Sequence, residues 1–301
     1  MRASIVPQRR ARRALATGLV ALVLCAFAPL VFLRALASGD VPPRGASGGN
    51  DPVTGDDLLR LQEPTFSSGA HVPLWMDDFN ASPERHAGAE ASNRFGRYLT
   101  LGVGGITHDP DAGLGGSGAA RIAWTARRAG SCRDDSRVLE AWFPESREIF
   151  VQFSVRYERG FVFDWSTHGP CAGNAKKLFL LWAREGSRFV FISENGDLGI
   201  GSDYDHPLFA QNRAVTVTPA ALADGRWHRI TFHIAQGSSA TAHDGFLRGW
   251  IDGVQRWSYT RVRTYNAGGY YLFKMPATFN QGSPLTQTEW VDDLRIWRAR
   301  D

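Results

Sequence analysis

Cysteine is scarce in this chain: three residues, Cys25, Cys132 and Cys171, among 301. No CxxC and no Cys/His spacing of a zinc site occurs. Amphipathic helical patterning of any length is missing, and so is an internal repeat, so the fold has to come from strands. A basic surplus is missing too, although the formal charge of +4 suggests one. Residues 1–37 hold six arginines (Arg2, Arg9, Arg10, Arg12, Arg13, Arg34) and no acid, which leaves 28 basic against 30 acidic residues in the rest. The basic pI belongs to the first 37 residues, and a nucleic-acid-binding reading loses its main support.

What is there begins with a leader. An Arg-rich start is followed by the apolar run Ala14 to Leu33 and by Ala35-Leu36-Ala37, small residues where a signal peptidase reads. The run is also long enough to span a bilayer. Residues 1–37 therefore read as a signal peptide or a signal anchor. The protein is expected to be exported and to be periplasmic, extracellular or held by an uncleaved N-terminal helix, its only membrane contact. Cys25 lies inside the leader. Cys132 and Cys171 then form an even pair in an exported chain, for which a disulfide is the default. It would close about 40 residues and contribute about 3–4 kcal/mol in the chain-entropy model. Residues 38–73, rich in Gly, Ser, Pro and Asp, read as a flexible linker, and residues 74–301 as one domain, expected to be monomeric.

From Leu74 on, short strands and Gly-containing turns predominate. Candidate strands are Leu74 to Phe79, Ala119 to Ala126, Arg137 to Phe143 (ended by Pro144), Glu148 to Glu158, Lys177 to Trp182, Phe189 to Ser193, Tyr270 to Lys274 and Glu289 to Trp297. The stretch after Ser193 reads as a polar loop and Pro219 to Ala223 as a helical turn. The clearest element is Asp224 to Trp257. His228, Ile230, Phe232 and Ile234 alternate with Trp227, Arg229, Thr231 and His233. A second strand, Phe246 to Ile251, runs into Asp252-Gly253, the pair a type I′ turn wants, and a third returns from Val254 to Tyr259. The whole reads as an all-β sandwich or jelly roll built around a three-strand meander. Ten Trp and eighteen Phe suit either core packing or a carbohydrate-stacking surface.

The phrases G-R-W-H-R and G-F-L-R-G-W-I-D-G in the meander resemble the concanavalin A-like lectin/glucanase superfamily, in particular its polysaccharide lyase-like members of alginate and glucuronan lyase type. K-L-F-L-L-W at Lys177 to Trp182, F-K-M-P-A-T-F-N-Q-G-S at Phe273 to Ser283, W-V-D-D-L-R-I-W at Trp290 to Trp297 and W-M-D-D-F at Trp75 to Phe79 are similar to strands of the same superfamily. The resemblance covers residues 74–301 and implies a jelly-roll β-sandwich. That fold hosts lectins, hydrolases and lyases. The E-x-D-x-x-E strand of laminarinase-like members is absent; the nearest set, Glu289 with Asp292 and Asp293, sits in the closing strand. The alginate-lyase wording Y-F-K-A-G-x-Y-x-Q is echoed by YLFKMPATFNQ with altered spacing.

A uronate lyase must neutralise a carboxylate and move the proton α to it. The polar strand faces offer Arg156, Lys177, His233 and Tyr271 as catalytic candidates, and Gln152, Arg229, Lys274, Asn280 and Gln281 as substrate-binding ones. Parity alone would equally place Tyr271 with Phe273 in the core. Arg156, Lys177 and His233 are expected to share one cleft, with Tyr271, Lys274 or Gln281 at its rim. Asp77, Asp78, Asp292 and Asp293 would lie together if the terminal strands pair, and modules of the resembling kind hold structural Ca²⁺ with such oxygens. Asp203, Asp205 and His206 form a second polar cluster. No cofactor is required for catalysis. The expected partner is an acidic polysaccharide, cleaved by β-elimination; the alternative is a non-catalytic carbohydrate-binding module.

Overall fold

The computed structural model describes residues 61–66, 69–80, 98–101, 106–127, 133–163, 175–184, 188–194, 197–202, 218–264, 267–276 and 278–300. The leader, Cys132, Cys171, Asp203, Asp205 and His206 lie outside the described residues.

The strands in chain order are β1 (His71–Asp77), β2 (Tyr98–Leu101), β3 (Ile106–Asp109), β4 (Ala119–Trp124), β5 (Asp135–Ser136), β6 (Val138–Ser146), β7 (Glu148–Tyr157), β8 (Ala175–Ala183), β9 (Arg188–Glu194), β10 (Asp197–Ser202), β11 (Trp227–Ala235), β12 (Gly245–Ile251), β13 (Val254–Val262), β14 (Tyr270–Met275), β15 (Thr278–Phe279) and β16 (Gln287–Ala299). Helical structure among the described residues is confined to two single 3-10 turns, Leu114–Gly116 and Pro219–Leu222. The strands form two antiparallel sheets. The first has the order β13-β12-β11-β7-β16-β4-β3, with β1 also on β16. The second has the order β10-β9-β8-β14-β6-β2, with β15 bridging β8 and β5.

Alternation decides which side chains meet between the sheets. On β7, Ile149, Val151, Phe153, Val155 and Tyr157 enter the core. Ile230, Phe232 and Ile234 do so from β11. From the second sheet come Phe179, Leu181, Phe191, Leu198, Ile200 and Phe273. Phe153 meets Phe179 and Phe273 at ring distances of 6.2 and 6.1 Å, and Phe232 meets Phe179 at 5.0 Å. Each fully buried Phe contributes about 1.5–3 kcal/mol of transfer free energy.

The expected meander is present as β11, β12 and β13. Its hairpin turn has φ of 51° at Asp252 and 80° at Gly253, the positive pair of a type I′ turn. Gly249 serves a different need. A Cβ there would lie 2.8 Å from both Phe232 Cε1 and Trp257 Cε3, so the close approach of two core rings requires glycine.

Three expectations need correction. The stretch after Ser193 is not all loop: β10 occupies Asp197–Ser202, with Leu198 and Ile200 buried between glycines. Pro144 does not end β6, because it sits in an irregular stretch where Tyr270 pairs with Ser146 and Leu272 already pairs with Trp142. A missing N–H there removes no regular ladder bond. The first strand begins at His71, and residues 61–66 already pack against the first sheet, through Glu63 and Phe66.

Candidate functional site

Register builds a polar and aromatic surface on the outer face of the second sheet. Across β8, β14 and β6, Trp182 stands opposite Leu272, and Leu272 opposite Trp142. In the next outward row Leu180 stands opposite Lys274, and Lys274 opposite Glu140. Between them run Leu181, Phe273 and Ala141, which face the core. A register shift between Tyr270 and Leu272 breaks parity, sending Tyr270 into the core and leaving Tyr271 outside.

The contacts on this face are specific. Lys274 Nζ lies 2.5 Å from Glu140 Oε1 and 5.1 Å from the centroid of the Trp182 ring. Trp142 Nε1 donates to Glu140 Oε2 at 3.2 Å, and the Tyr271 ring packs at 5.4 Å from Trp142. Glu140 is 3% exposed, whereas Trp142, Trp182, Tyr271 and Lys274 remain partly exposed. Beside Tyr271 a cavity of about 590 Å³ is lined by Phe143, Glu145, Arg184 and Tyr271, with Arg184 and Glu145 ion-paired. This volume is in the range of small-ligand clefts. Chemically, the surface offers aromatic rings to the C–H faces of sugars and an ammonium, held in place by a buried carboxylate, to an acidic substituent.

Of the residues expected in one cleft, Lys177, Tyr271, Lys274, Asn280 and Gln281 belong to the second sheet and its β15 extension. Lys177 stands opposite Thr278 and Ile192. Asn280 and Gln281 follow β15, with the Gln281 N–H on Asp134 Oδ1 at 3.1 Å. Arg156, Gln152, Arg229 and His233 are elsewhere: β7 and β11 pair with each other in the first sheet, and these side chains leave the core on its outer face. The single cleft joining Arg156 and His233 to Lys177 is therefore not formed. Parity correctly lifted each residue from the core, but parity does not say which sheet a strand joins.

The first-sheet residues have their own partners. His233 stacks on Phe150 at 3.9 Å and bonds to Glu148 Oε1 at 2.6 Å. Burial pulls the His233 pKa down, and the His233 bond holds Glu148 below its ordinary value. Arg156 stands between Trp290 at 4.3 Å and Trp227 at 5.2 Å. Gln152 Nε2 and Arg229 Nη2 both donate to the Glu63 carboxylate, at 3.3 and 2.6 Å.

The terminal strands pair as expected, Asp77 standing opposite Leu294. The four aspartates are not gathered by that pairing. Asp292 Oδ2 accepts from the Leu114 N–H at 2.7 Å and from Ser117 Oγ at 3.1 Å, Asp293 pairs with Arg295, and Asp77 Oδ1 and Asp78 Oδ1 accept the N–H groups of Phe79 and Asn80. Burial raises the pKa of both Asp292 and Asp293. Among the described residues no three His, Cys, Asp or Glu side chains form a group that could hold a metal ion.

Sequence reasoning missed Glu140, Glu63 and an interior ion pair. Lys176 Nζ lies 3.0 Å from Glu289 Oε1, both side chains 0% exposed, so β8 of one sheet is joined to β16 of the other. Trp124 Nε1 donates to the same carboxylate at 2.6 Å. Burial pushes the Lys176 pKa down, opposed by Glu289, and pushes Tyr157 well up. Two adjacent lysines at the start of an apolar strand were the signal, because alternation sends one of them inward. Phe279, two residues before Gln281, is 1% exposed and packs on Trp124 at 4.9 Å. It carries no hydroxyl where the resembling lyase wording has tyrosine.

No family model and no curated protein matches the sequence. Among solved structures the chain is similar to an endo-β-1,4-glucuronan lyase from the fungus Trichoderma reesei, with 14% identity, TM-score 0.46, and coverage of 79% of this chain and 94% of that one. It is also similar to an alginate lyase in complex with an alginate trisaccharide, at 12% identity, TM-score 0.48, and coverage of 77% and 98%. A third is domain 4 of an extracellular arabinanase from Geobacillus stearothermophilus, in complex with arabinotriose, at 14% identity, TM-score 0.47, and coverage of 76% and 94%. At such identities and TM-scores these likenesses assign no residue a role, and the site stands on its own geometry.

Proposed function

We propose that the protein is an exported, polysaccharide-active jelly roll that holds a uronate-containing polysaccharide on the outer face of its second sheet. One observation carries this reading: Lys274, fixed by Glu140, lies over the Trp182 ring in a surface continued by Trp142 and Tyr271. Trp182 and Trp142 contact sugar rings, Lys274 meets a carboxylate, and the cavity beside Tyr271 takes an end or a branch of the chain. In the same reading residues 1–37 direct export, and the following linker gives the domain reach.

A second reading, β-elimination, is favoured by Tyr271 and Lys274 sharing this face. Lysine would neutralise the carboxylate, and tyrosine would take the proton α to it and return it to the glycosidic oxygen, which leaves as its bond to carbon breaks and the carbon–carbon double bond forms. The experiment is a panel of alginate, glucuronan, pectate and glycosaminoglycans, with binding followed by calorimetry and unsaturated uronate by absorbance. Binding that is lost in W182A/K274A without an absorbance change supports the binding module. An absorbance rise lost in Y271F supports the lyase. Equal binding by wild type and W182A/K274A would overturn the placement.

A further inference from the structure

The outer face of the first sheet contains a carboxylate receptor that the protein fills with its own side chain. Register stacks four rows on that face. The first is Trp227–Arg156–Trp290, the second Arg229–Ser154–Asp292, the third Trp250–Thr231–Gln152–Arg295, and the fourth Arg248–His233–Phe150–Trp297. Residues 61–66 cross the lower three. The Leu61 carbonyl accepts from Trp250 Nε1 at 3.1 Å, and Phe66 stacks on Trp297 at 3.9 Å. Between them the Glu63 carboxylate accepts from Arg229 Nε at 3.1 Å and Nη2 at 2.6 Å, from Gln152 Nε2 at 3.3 Å and from Thr231 Oγ1 at 2.5 Å. A forked guanidinium, an amide and a hydroxyl converging on one carboxylate form a charge-assisted, geometrically specific site. Thr231 is 0% exposed and Gln152 9%, so two of the donors are built into the sheet, while the Arg229 side chain, 51% exposed, stands at the entrance.

We propose that Arg229, Thr231 and Gln152 are a second uronate-binding subsite, on the face opposite the candidate site, and that the segment carrying Glu63 is a displaceable strap that occupies it. The strap forms no strand, so no backbone ladder holds residues 61–66 to the sheet. Among the described residues its attachment runs through the Leu61 carbonyl, the Glu63 carboxylate and the Phe66 ring. A polysaccharide fits better than an isolated acid because the cations continue: Arg156, flanked by Trp227 and Trp290, is the diagonal neighbour of Arg229, roughly 7–8 Å away across the strand pair. Successive carboxylates along an acidic chain would meet Arg229 and then Arg156. Asp252, whose Oδ1 accepts the Arg229 N–H, and Asp293 lie close by, which makes the subsite selective for a ligand that replaces Glu63 rather than adding to it.

The ligand class rests on the proposed function, but the face does not, so the test runs in the W182A/K274A background. Oligoglucuronate is titrated by calorimetry at low ionic strength into the full chain, with Glu63→Gln as the isosteric variant and Phe66→Ala as one that loosens the strap without touching the carboxylate. Both are expected to bind roughly tenfold tighter than their parent, because an internal competitor that fills the site lowers apparent affinity by the free fraction. Adding R229A should abolish the gain. Near-unchanged affinity in E63Q and F66A, with only a lower melting temperature, would overturn the proposal and leave a purely structural strap. A gain for poly-glutamate but not for oligoglucuronate would overturn the saccharide as ligand. Loss of binding in W182A/K274A alone, with the gain intact, separates this subsite from the first.

Discussion

The two outer faces of the sandwich carry the same kinds of residue and use them differently. On the first sheet Arg229, Gln152 and Thr231 hold Glu63, His233 is bonded to Glu148, and Phe150 and Trp297 receive Phe66. These donors and rings are satisfied by the chain itself. On the second sheet Lys274 is paired with Glu140, yet Lys274, Trp182, Trp142 and Tyr271 stay partly exposed, with a cavity beside them. Arg, Trp and His side chains lifted from the core do not by themselves mark a binding surface. What distinguishes an open binding surface from one closed by the chain's own strap is that the local contacts orient the groups without covering them.

The comparison breaks most completely in the interior that both faces share. Lys176→Met leaves Glu289 as an uncompensated buried charge and should cost about 3–5 kcal/mol in urea unfolding. Replacing both partners, K176M/E289L, should recover most of the loss, since a buried pair often breaks even against apolar residues. A single-variant loss indistinguishable from that of an exposed lysine would remove the pair as a joint between the sheets.

Next comes the strap. Phe66→Ala removes ring contacts to Trp297, Phe150 and His71 and should lower stability by about 1–2 kcal/mol, read from the shift in denaturant midpoint. Polysaccharide binding at the second sheet should be unaffected by it. A parallel loss of that binding would mean that the two faces are not independent.

On the second sheet the expected effect is on affinity. Trp182→Ala should weaken oligouronate binding roughly tenfold, about 1.4 kcal/mol, while the denaturant midpoint moves little. Stability loss with unchanged affinity would make Trp182 a packing residue like Trp297.

The smallest effect is a pH slope from the first sheet. Folding lowers the pKa of His233 by burial and that of Glu148 by the His233 bond. The unfolded chain therefore binds more protons at both, so their stabilisation is complete above the unfolded values and is lost on acidification. The loss begins near the ordinary histidine value of 6.5 and continues below the ordinary glutamate value of 4.5. Asp292 and Asp293, raised by burial, act in the opposite direction at lower pH. Unfolding midpoints measured from pH 7 to 4 should fall, and fall less in H233F. A flat profile in the wild type would contradict this.

The strands were legible because their signals are local. The alternation of β7 and β11 and the Asp252-Gly253 turn carry period and turn chemistry in the residues themselves. The site was legible only in part. Tyr271, Lys274 and Lys177 all fall on strands of the second sheet, whereas Arg156 and His233 were joined to them across a core that separates the two sheets. Which strands pair is set by long-range packing, and nothing in a ten-residue window reports it. The shift at Tyr270/Leu272 likewise reverses parity; Gly268-Gly269 before it and Pro144 on the facing strand mark an irregularity, but neither says which of Tyr270 and Tyr271 turns inward. Glu63 was invisible for a third reason: it lies in a polar stretch whose order comes entirely from the sheet it lies on.

The most direct test follows the indole N–H signals of the full chain by NMR while an oligouronate is added. Placement of the ligand on the second sheet predicts that Trp182 and Trp142 shift in a saturable way, while Trp227, Trp290 and Trp250 stay in place as long as Glu63 is native. Saturable shifts at Trp227 and Trp290 with none at Trp182 and Trp142 would contradict it.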